Sequence, residues 1–412
     1  MSTSIDKLTQ AGPVSRLRTE GESLTNALLG LSRGITTRSD ESAILKLVRE
    51  ASPAALNEAL QSLTPLALHK LISGMDDHLW GPDNRQAFLN ELTQTRLGVL
   101  DVDSRAALIL ALQIGATVKR DEQAIGNIIL GTHNNALTQL KNAIDAGGDY
   151  HDLQQLIFHD IDSPALREKL LAHFGRQTTP TGQVKVLSDI DDTFYANLKD
   201  QRFPKKTVYP GVLAFYAELD KGGRTRADRL GDLTFLSARP YDRAGLLEDM
   251  SLKALRARGV SEATVLSGDF AHLVGNQRIA EKKLENWQQH RQLFTEYQTV
   301  FIGDSGQGDA LFGSQALATG EGQMKAVFIH NVSGLSESQR SALTKQGIHV
   351  FDTYLGAATQ AYSLGLITRA GLKRVAEASK KELAAIHFAS PAQAAARKAE
   401  LDRDWRASLR TS

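Results

Sequence analysis

The sequence contains no cysteine among its 412 residues. This absence excludes disulfides, zinc–thiolate sites, iron–sulfur clusters and cysteine nucleophiles. The sequence also lacks any apolar run close to the ~18 residues of a membrane-spanning helix. Its amino-terminal residues lack the apolar stretch of a signal peptide. We therefore expect a cytoplasmic protein whose contact with a membrane, if it makes one, is peripheral.

The sequence also lacks an excess of charge of either sign. It contains 48 basic and 47 acidic residues, so its net charge is +1. Such a balance gives no general reason to expect a nucleic-acid partner. The eleven histidines show no metal-ligand spacing. No glycine-rich nucleotide loop follows a strand. The length and the 42% hydrophobic content are typical of a globular protein of two or three domains.

Two segments 81 residues apart resemble each other. The first reads GITTRSDESAI at 34–44, and the second reads GATVKRDEQAI at 115–125. In both, a glycine that can end a helix precedes polar residues that can begin the next one. After a flexible segment at 1–19, we therefore expect an all-α domain at 20–178, made of two repeats of ~80 residues.

A structural or docking role is the interpretation we favour for these repeats. Each copy also resembles the calcium-binding loops of annexin repeats, which combine glycine, threonine and an acidic pair. Two additional residues separate the threonine from the acidic pair here, which disturbs that loop. Whether calcium is involved stays open at this stage.

The pattern changes after the turn-rich segment 175–183. Short β-branched runs then alternate with helical stretches, which indicates a parallel sheet covered by helices. We expect this α/β domain to span 183–370. A helical, basic tail is expected to follow at 371–412.

Chemically versatile side chains follow three of the predicted strands. The first strand ends in DIDDT, the second in LTFLSA followed by Arg-Pro, and the third in VFIGDSGQGD. Because parallel sheets bind ligands at the carboxyl ends of their strands, these side chains are expected to converge. Clustered carboxylates require a cation, and ligands that are all oxygen favour Mg²⁺. A carboxylate can also attack phosphorus, while lysine and serine hold the phosphoryl oxygens.

These motifs resemble the four motifs of the haloacid dehalogenase (HAD) superfamily in order and spacing. More narrowly, SDIDDT, YPGV, LSARP and FIGDSGQGD resemble the catalytic domain of the actin-patch-protein type of phosphatidate phosphatase. The resemblance covers residues ~183–370. It implies a HAD-like, Rossmannoid α/β domain and Mg²⁺-dependent hydrolysis of phosphatidate to diacylglycerol through an aspartyl-phosphate.

The resemblance also implies roles for individual residues. The catalytic set comprises the nucleophile Asp189, the acid and base Asp191, and the phosphoryl-binding residues Ser237 and Lys283. The metal set comprises Asp189, the carbonyl of Asp191, and Asp304. Substrate contacts are expected from Arg239, Arg243 and Lys282, with either of the two lysines able to hold the phosphate. Supporting roles are expected for Asp309, which orients the site, and for Thr193, which caps the turn after the first strand.

The sequence departs from the family pattern at Ile-His-Asn-Val, 329–332, where an arginine and an aspartate are expected. The intervals between motifs are too short for a folded cap, so we expect an open site that admits a bulky phosphate. The loop 197–206 carries four cations, which are either an anionic-headgroup contact or an ordinary solvated surface: Lys199, Arg202, Lys205 and Lys206.

Three functions therefore stay open. The first is a phosphatidate phosphatase, and the second is a phosphatase for another bulky phosphate, such as a phosphoprotein or a nucleic-acid end. The third is a non-catalytic module that binds a membrane or a protein. The oligomeric state does not follow from the sequence.

Overall fold

A computed structural model describes most of the chain, and contacts within it divide the chain into two compact units. The first unit comprises Met1–Gly147 and Gln155–Thr178, and the second comprises Gly148–Gln154 and Thr179–Ser412. The described residues are 13–75, 82–115, 117–145, 152–177, 179–221, 233–237, 257, 259, 264–267, 275–306 and 308–411. None of the helices in these ranges is both long enough and apolar enough to cross a membrane.

The described part of the first unit is helical. Numbered in chain order, its helices are α1 (Pro13–Leu31), α2 (Arg38–Glu50), α3 (Pro53–Ser62), α4 (Pro65–Ser73), α5 (Asn84–Asn90), α6 (Val102–Leu112), α7 (Lys119–Leu130), α8 (Asn134–Asp145) and α10 (Pro164–Gln177). The single turn α9 (Leu153–Gln155) lies where the two units divide. Helix α1 begins within the segment 1–19 that we expected to be flexible, and residues 1–12 lie outside the described residues.

Local sequence explains where several of these helices begin. Thr37 accepts a hydrogen bond from the backbone N–H of Asp40, whose side chain accepts the N–H of Thr37 in return. This reciprocal capping box satisfies N–H groups that a helix end leaves unpaired. Ser52 caps α3 by accepting the backbone N–H of Ala55, with Pro53 at the first helical position, where a missing N–H costs nothing.

The two similar segments adopt corresponding structures. Helices α2 and α7 begin 81 residues apart, as do α3 and α8. The glycines that precede α2 and α7, Gly34 and Gly115, both adopt left-handed backbone conformations, with φ of 77° and 84°. Glycine adopts this conformation without the steric cost of a Cβ.

The acidic pairs of both segments have partners inside the first unit. Their contacts are Asp40 with Thr37, Glu41 with Asn84, Asp121 with Arg85, and Glu122 with the N–H of Ser163. Glu41, Asp121 and Glu122 are buried. These contacts give the acidic pairs a role in holding helices together.

In the described part of the second unit, six strands form one parallel sheet in the order β3-β2-β1-β4-β5-β6. Their bounds are β1 (Val184–Asp189), β2 (Leu233–Ser237), β3 (Thr264–Ser267), β4 (Gln298–Asp304), β5 (Met324–His330) and β6 (Ile348–Phe351). Strand β1 is buried along its whole length and β4 at all but its first residue. Parallel strands with both faces covered read as continuous apolar runs, which is why the sequence predicted them.

Helices pack around this sheet. They are α11 (Val212–Lys221), α12 (Asn276–Leu293), α13 (Asp309–Thr319), α14 (Glu337–Lys345), α15 (Tyr354–Ser363), α16 (Arg369–Ala384) and α17 (Pro391–Arg410). One core cluster contains Phe215, Phe235 and Phe328, and another contains Trp287 and Phe301. An α/β fold with a parallel sheet, preceded by a helical region, is thus confirmed.

The predicted tail, 371–412, forms most of α16 and all of α17, and both helices pack within the second unit. Arg374 on α16 makes two hydrogen bonds to Glu218 on α11, at 2.7 and 2.6 Å. Thr353, which precedes α15, donates a hydrogen bond to Asp404 on α17 at 2.7 Å. Leu401 on α17 is part of the core. The α/β unit therefore extends well beyond residue 370.

Candidate active site

The candidate site lies where the strand order of the sheet reverses, between the neighbouring strands β1 and β4. Asp189 is the last residue of β1, and Asp304 is the last residue of β4. Open α/β sheets bind ligands at this kind of switch point, beyond the carboxyl ends of the strands. The convergence of these two strand ends follows directly from the topology.

Three buried carboxylates meet at this edge of the sheet. Asp189, Asp304 and Asp309 each offer an oxygen atom, and these atoms lie within 4.8 Å of one another. Asp309 occupies the first turn of α13 and accepts the backbone N–H of Asp304 at 3.1 Å. Carboxylates this close cannot all remain ionised unless positive charge compensates them.

Lys283 supplies part of that positive charge. It is buried on α12 and donates a hydrogen bond to Asp189 Oδ1 at 2.8 Å and a second to Asp309 Oδ1. Burial alone lowers the pKa of Lys283, but the charges of Asp189 and Asp309 more than offset it, so the pKa lies above its usual range. Lys282 points elsewhere and pairs with Glu285 at 2.8 Å.

Two carboxylate oxygens in the cluster are buried without a hydrogen bond from any described residue: Asp189 Oδ2 and Asp304 Oδ2. Burial raises the pKa of Asp189 to about 7, against the opposing effect of Lys283. Burial, and then the charges of Asp309 and Asp189, also raise the pKa of Asp304. A single ammonium among the described groups therefore leaves the cluster short of positive charge. The oxygen donors and the two unpartnered oxygens fit a divalent cation such as Mg²⁺.

Glycine makes this close approach sterically feasible. A Cβ on Gly303 would lie 2.4 Å from Asp309 Oδ2, and a Cβ on Gly308 would lie 2.4 Å from the carbonyl oxygen of Asn276. Neither distance is compatible with a side chain, because the nearest atoms belong to a fixed carboxylate and to a backbone. Gly303 thus lets α13 start directly against β4, and Gly308 lets the chain before α13 lie against the start of α12.

The turn after β1 separates the roles of its other two aspartates. Asp191 is half-buried, and its Oδ1 accepts a hydrogen bond from Asn197 Nδ2 at 2.7 Å. Asp192 is fully buried, with φ of 62°, and accepts the backbone N–H groups of four consecutive residues, 197–200. The carboxylate of Asp192 therefore organises the loop that follows the turn.

Thr193 contributes through its backbone. Its carbonyl oxygen accepts a hydrogen bond from the hydroxyl of Tyr354 at 2.6 Å. Its own hydroxyl is buried and has no hydrogen-bond partner within the described ranges. The expected cap by the Thr193 side chain is therefore absent from the described contacts.

The loop 197–206 is fixed by a buried network. Arg202 donates two hydrogen bonds to Asp200, at 2.9 and 2.8 Å, and Asp200 also accepts the hydroxyl of Tyr209 at 2.8 Å. Arg202 donates further to His330 Nε2 at 3.1 Å. Arg202 therefore forms an internal ion pair with Asp200. Lys199, Lys205 and Lys206, by contrast, are exposed.

His330, which stands where the family pattern has arginine, is a buried structural residue. Its ring stacks on Phe351 with centroids 5.0 Å apart, and its Nδ1 lies 3.3 Å from the carbonyl oxygen of Asp192. Burial and the charge of Arg202 lower the pKa of His330 to about 3, so the ring is neutral. A neutral ring donates from Nδ1 to Asp192 and accepts from Arg202 at Nε2.

The remaining predicted residues lie at the margin of what the structure describes. Ser237 is the last residue of β2, next to Leu236, which pairs in register with Asp189. Arg239 and Arg243 lie outside the described residues. The prediction of an open site depends on two intervals, from Asp189 to Ser237 and from Ser237 to Lys283. Residues 222–232 of the first interval and most of the second also lie outside the described residues.

Sequence reasoning missed Asn197 and the organising role of Asp192. Asn197 carries no signal, since asparagine is ordinary in a polar loop. Asp192 did carry a sequence signal, because DIDDT contains one carboxylate more than the predicted chemistry requires.

Comparison with known families gives one finding. Residues 184–331, about a third of the chain, match the family model described as phosphatidate phosphatase APP1, catalytic domain. The match runs from β1 to the end of β5 and includes Asp189, Lys283 and Asp304. It confirms the family resemblance of this segment. No curated protein and no solved structure matches the chain significantly.

Proposed function

We propose, from this family match and from the carboxylate cluster, that the chain is a Mg²⁺-dependent phosphomonoester hydrolase of the HAD type. Phosphatidate is the substrate that the match favours, with diacylglycerol and inorganic phosphate as products. The observation that carries the proposal is the meeting of Asp189, Asp304, Asp309 and Lys283 in one buried cluster within the matched segment.

We infer different tasks for the carboxylates from their hydrogen bonds. Both oxygens of Asp309 accept hydrogen bonds, from Lys283 and from the N–H of Asp304, so Asp309 orients its neighbours. Asp189 and Asp304 each keep an oxygen without a described partner. We therefore assign Mg²⁺ to Asp189, Asp304 and the carbonyl of Asp191. Mg²⁺ would neutralise charge on the carboxylates and on the phosphoryl group.

The residues then act in two steps. In the first, a carboxylate oxygen of Asp189 bonds to phosphorus as the ester P–O bond breaks, and Asp191 gives its proton to the leaving alkoxide. In the second, water bonds to phosphorus, its proton passes to Asp191, and the bond between Asp189 and phosphorus breaks. The products are an alcohol and inorganic phosphate, and both aspartates return to their starting states. Lys283 and Ser237 hold the phosphoryl oxygens in both steps, while Arg239 and Arg243 contact the rest of the substrate.

Turnover of p-nitrophenyl phosphate with Mg²⁺ and with EDTA tests the reaction class. We expect Mg²⁺-dependent release of nitrophenol by the wild type and no release by Asp189→Asn. The exposed Asp402→Asn on α17 is the matched control and should retain full activity. An active Asp189→Asn would overturn the assignment of the nucleophile. Inactivity of the wild type towards every phosphomonoester tested would leave the fold as a binding scaffold.

Mixed micelles of phosphatidate in a neutral detergent, compared with soluble phosphomonoesters and a phosphopeptide, test the substrate. We expect phosphate release with a kcat/KM that is highest for phosphatidate. A higher kcat/KM for the phosphopeptide or for a nucleic-acid 5′-phosphate would favour the second candidate, a phosphatase for another bulky phosphate.

A further inference from the structure

Only one oxygen of the Asp191 carboxylate accepts a hydrogen bond from the described residues. Asn197 Nδ2 donates to Asp191 Oδ1 at 2.7 Å. No hydrogen bond from the described part of the chain reaches Asp191 Oδ2. Asp191 also stands apart from the three-carboxylate cluster, although its charge acts on Asp189. The two oxygens of Asp191 are therefore in different environments.

Asn197 is itself fixed by its backbone. Its N–H donates to Asp192 Oδ1 at 2.7 Å, and the N–H groups of Leu198 and Lys199 donate to Oδ2 at 3.0 and 2.6 Å. Hydrogen bonds to an ionised acceptor are among the strongest in proteins. Asp192 and Asp191 are adjacent in the chain, so the residue that anchors the loop also sets the distance from Asn197 to Asp191.

The far end of the same loop is anchored as well. Asp200 binds Arg202 and Tyr209, and the backbone oxygen of Gln201 accepts a hydrogen bond from Gln393 on α17 at 2.9 Å. With both ends held, the amide of Asn197 has little freedom to leave Asp191. A contact supported in this way is suited to holding a side chain in one orientation.

We propose that Asn197 is a positioning residue for Asp191, a role that rests on the proposed function. The amide N–H occupies Asp191 Oδ1, so this oxygen does not carry the transferable proton. Oδ2 then gives its proton to the leaving oxygen as the ester P–O bond breaks, and later takes a proton from the attacking water. Asn197 touches neither substrate nor water in this scheme, because it acts through Asp191.

Comparing substrates with different leaving groups distinguishes this positioning role from a purely structural role of Asn197. A nitrophenolate leaves without help, whereas an alkoxide needs a proton, so acid catalysis matters far more for an alkyl phosphate. General acid catalysis contributes about 10²- to 10⁴-fold. We expect Asn197→Leu to lower kcat/KM for an alkyl phosphate by about 10-fold or more, and kcat/KM for p-nitrophenyl phosphate by less than about 3-fold. The loss should fall on kcat, since substrate contacts are unchanged.

Two further variants sharpen the test. Asn197→Asp keeps the shape of the side chain but replaces the N–H donors with an acceptor, so it should be at least as impaired as Asn197→Leu. Recovery of alkyl phosphatase activity in Asn197→Asp would show that shape alone matters and would overturn the proposal. Gln201→Ala, which removes an exposed side chain from the same loop, should behave as the wild type.

Asp191→Asn distinguishes failure of this inference from failure of the proposed function. If Asp191→Asn lowers kcat/KM to the same extent for the two leaving groups, the assignment of Asp191 as the acid of the first step is wrong. If Asp191→Asn loses alkyl phosphatase activity selectively but Asn197→Leu lowers both activities equally, or neither, the positioning role of Asn197 is wrong. Circular dichroism of each variant checks that the fold is retained.

Discussion

Asp304→Asn should stabilise the metal-free protein while removing its response to Mg²⁺. Asp304 is completely buried, and its Oδ2 has no partner among the described groups. Asparagine has nearly the same shape but no charge. It therefore relieves the repulsion from Asp189 and Asp309 without leaving a cavity. Relieving one uncompensated buried charge is worth about 1–3 kcal/mol.

The size of this stabilisation depends on pH. The folded-state pKa of Asp304 is raised, and that of Asp189 is raised to about 7, so the folded protein binds protons more readily than the unfolded chain. The cost of the charges is complete above the folded pKa. It is relieved as pH falls towards the unfolded value near 3.8. The gain from Asp304→Asn in EDTA should therefore be large at about pH 8 and small at about pH 5.

Mg²⁺ should stabilise the wild type far more than Asp304→Asn. A ligand at 100 times its dissociation constant stabilises the folded state by about 2.7 kcal/mol. The wild type should gain stability of this order from saturating Mg²⁺, and Asp304→Asn should gain almost none. Because the chain has two compact units, unfolding in urea is best followed by hydrogen exchange of peptides from β1 and β4.

Two outcomes would refute this reasoning. The first is a metal-free Asp304→Asn that is less stable than the wild type at about pH 8. The second is a variant that retains the full Mg²⁺ response. Asp402→Asn, which removes an exposed carboxylate from α17, should change neither quantity.

Other variants test the scaffold and the remaining charges. Lys283→Met should destabilise the second unit by about 3–5 kcal/mol in urea and abolish turnover, because it leaves the carboxylates without their ammonium. A free energy of unfolding equal to that of the wild type would show that the ion pairs of Lys283 do not contribute to stability. Arg374→Ala should cost about 1 kcal/mol at neutral pH, because its guanidinium is half-exposed. Burial tends to raise the pKa of Glu218, but hydrogen bonds from Arg374 outweigh it and lower the pKa. The difference from wild type should therefore be complete above about pH 4.5 and disappear in urea titrations at lower pH. Gly34→Ala should destabilise the first unit by about 1 kcal/mol, because φ is 77° there. Thermal melts of both variants measure this effect. Gly30→Ala, which lies within α1 and faces open space, should leave the stability of the first unit unchanged or raise it.

The sequence predicted the sheet and the placement of the carboxylates because buried parallel strands have an unambiguous pattern. An apolar run that ends in aspartate marks both β1 and β4, and adjacent strand ends must converge. The four-residue β6 was not predicted. Its sequence, Ile-His-Val-Phe, is too short for periodicity to separate a strand from a buried turn. Its place in the sheet depends on pairing with β5.

The choice between Lys282 and Lys283 shows another limit. Adjacent residues on a helix differ by about 100° in direction, so only the packing of α12 decides which ammonium faces the cluster. The structure brings Lys283 to Asp189 and places Lys282 on Glu285. The family pattern favoured Lys283 but did not by itself exclude Lys282.

Basic residues in loops are the least predictable from sequence. Arg202 reads as one of four loop cations that either contact an anionic headgroup or are solvated, yet it pairs with Asp200, only two residues away. A tight turn makes this pairing feasible, and nothing in the spacing requires that turn. The contact from Asn197 to Asp191 depends on the loop that Asp192 holds through backbone N–H groups, and nothing in the spacing requires that loop.

The family match ends at residue 331, but the hydrophobic core does not. Strand β6 covers the outer edge of β5, and Leu355, Val375 and Leu401 fill the core from the last three helices. An expressed fragment that stopped where the similarity stops would leave a long apolar strand with an open edge, which invites aggregation. The end of the family match and the end of the folded core are therefore different places in this chain, because the core includes at least Leu401 on α17.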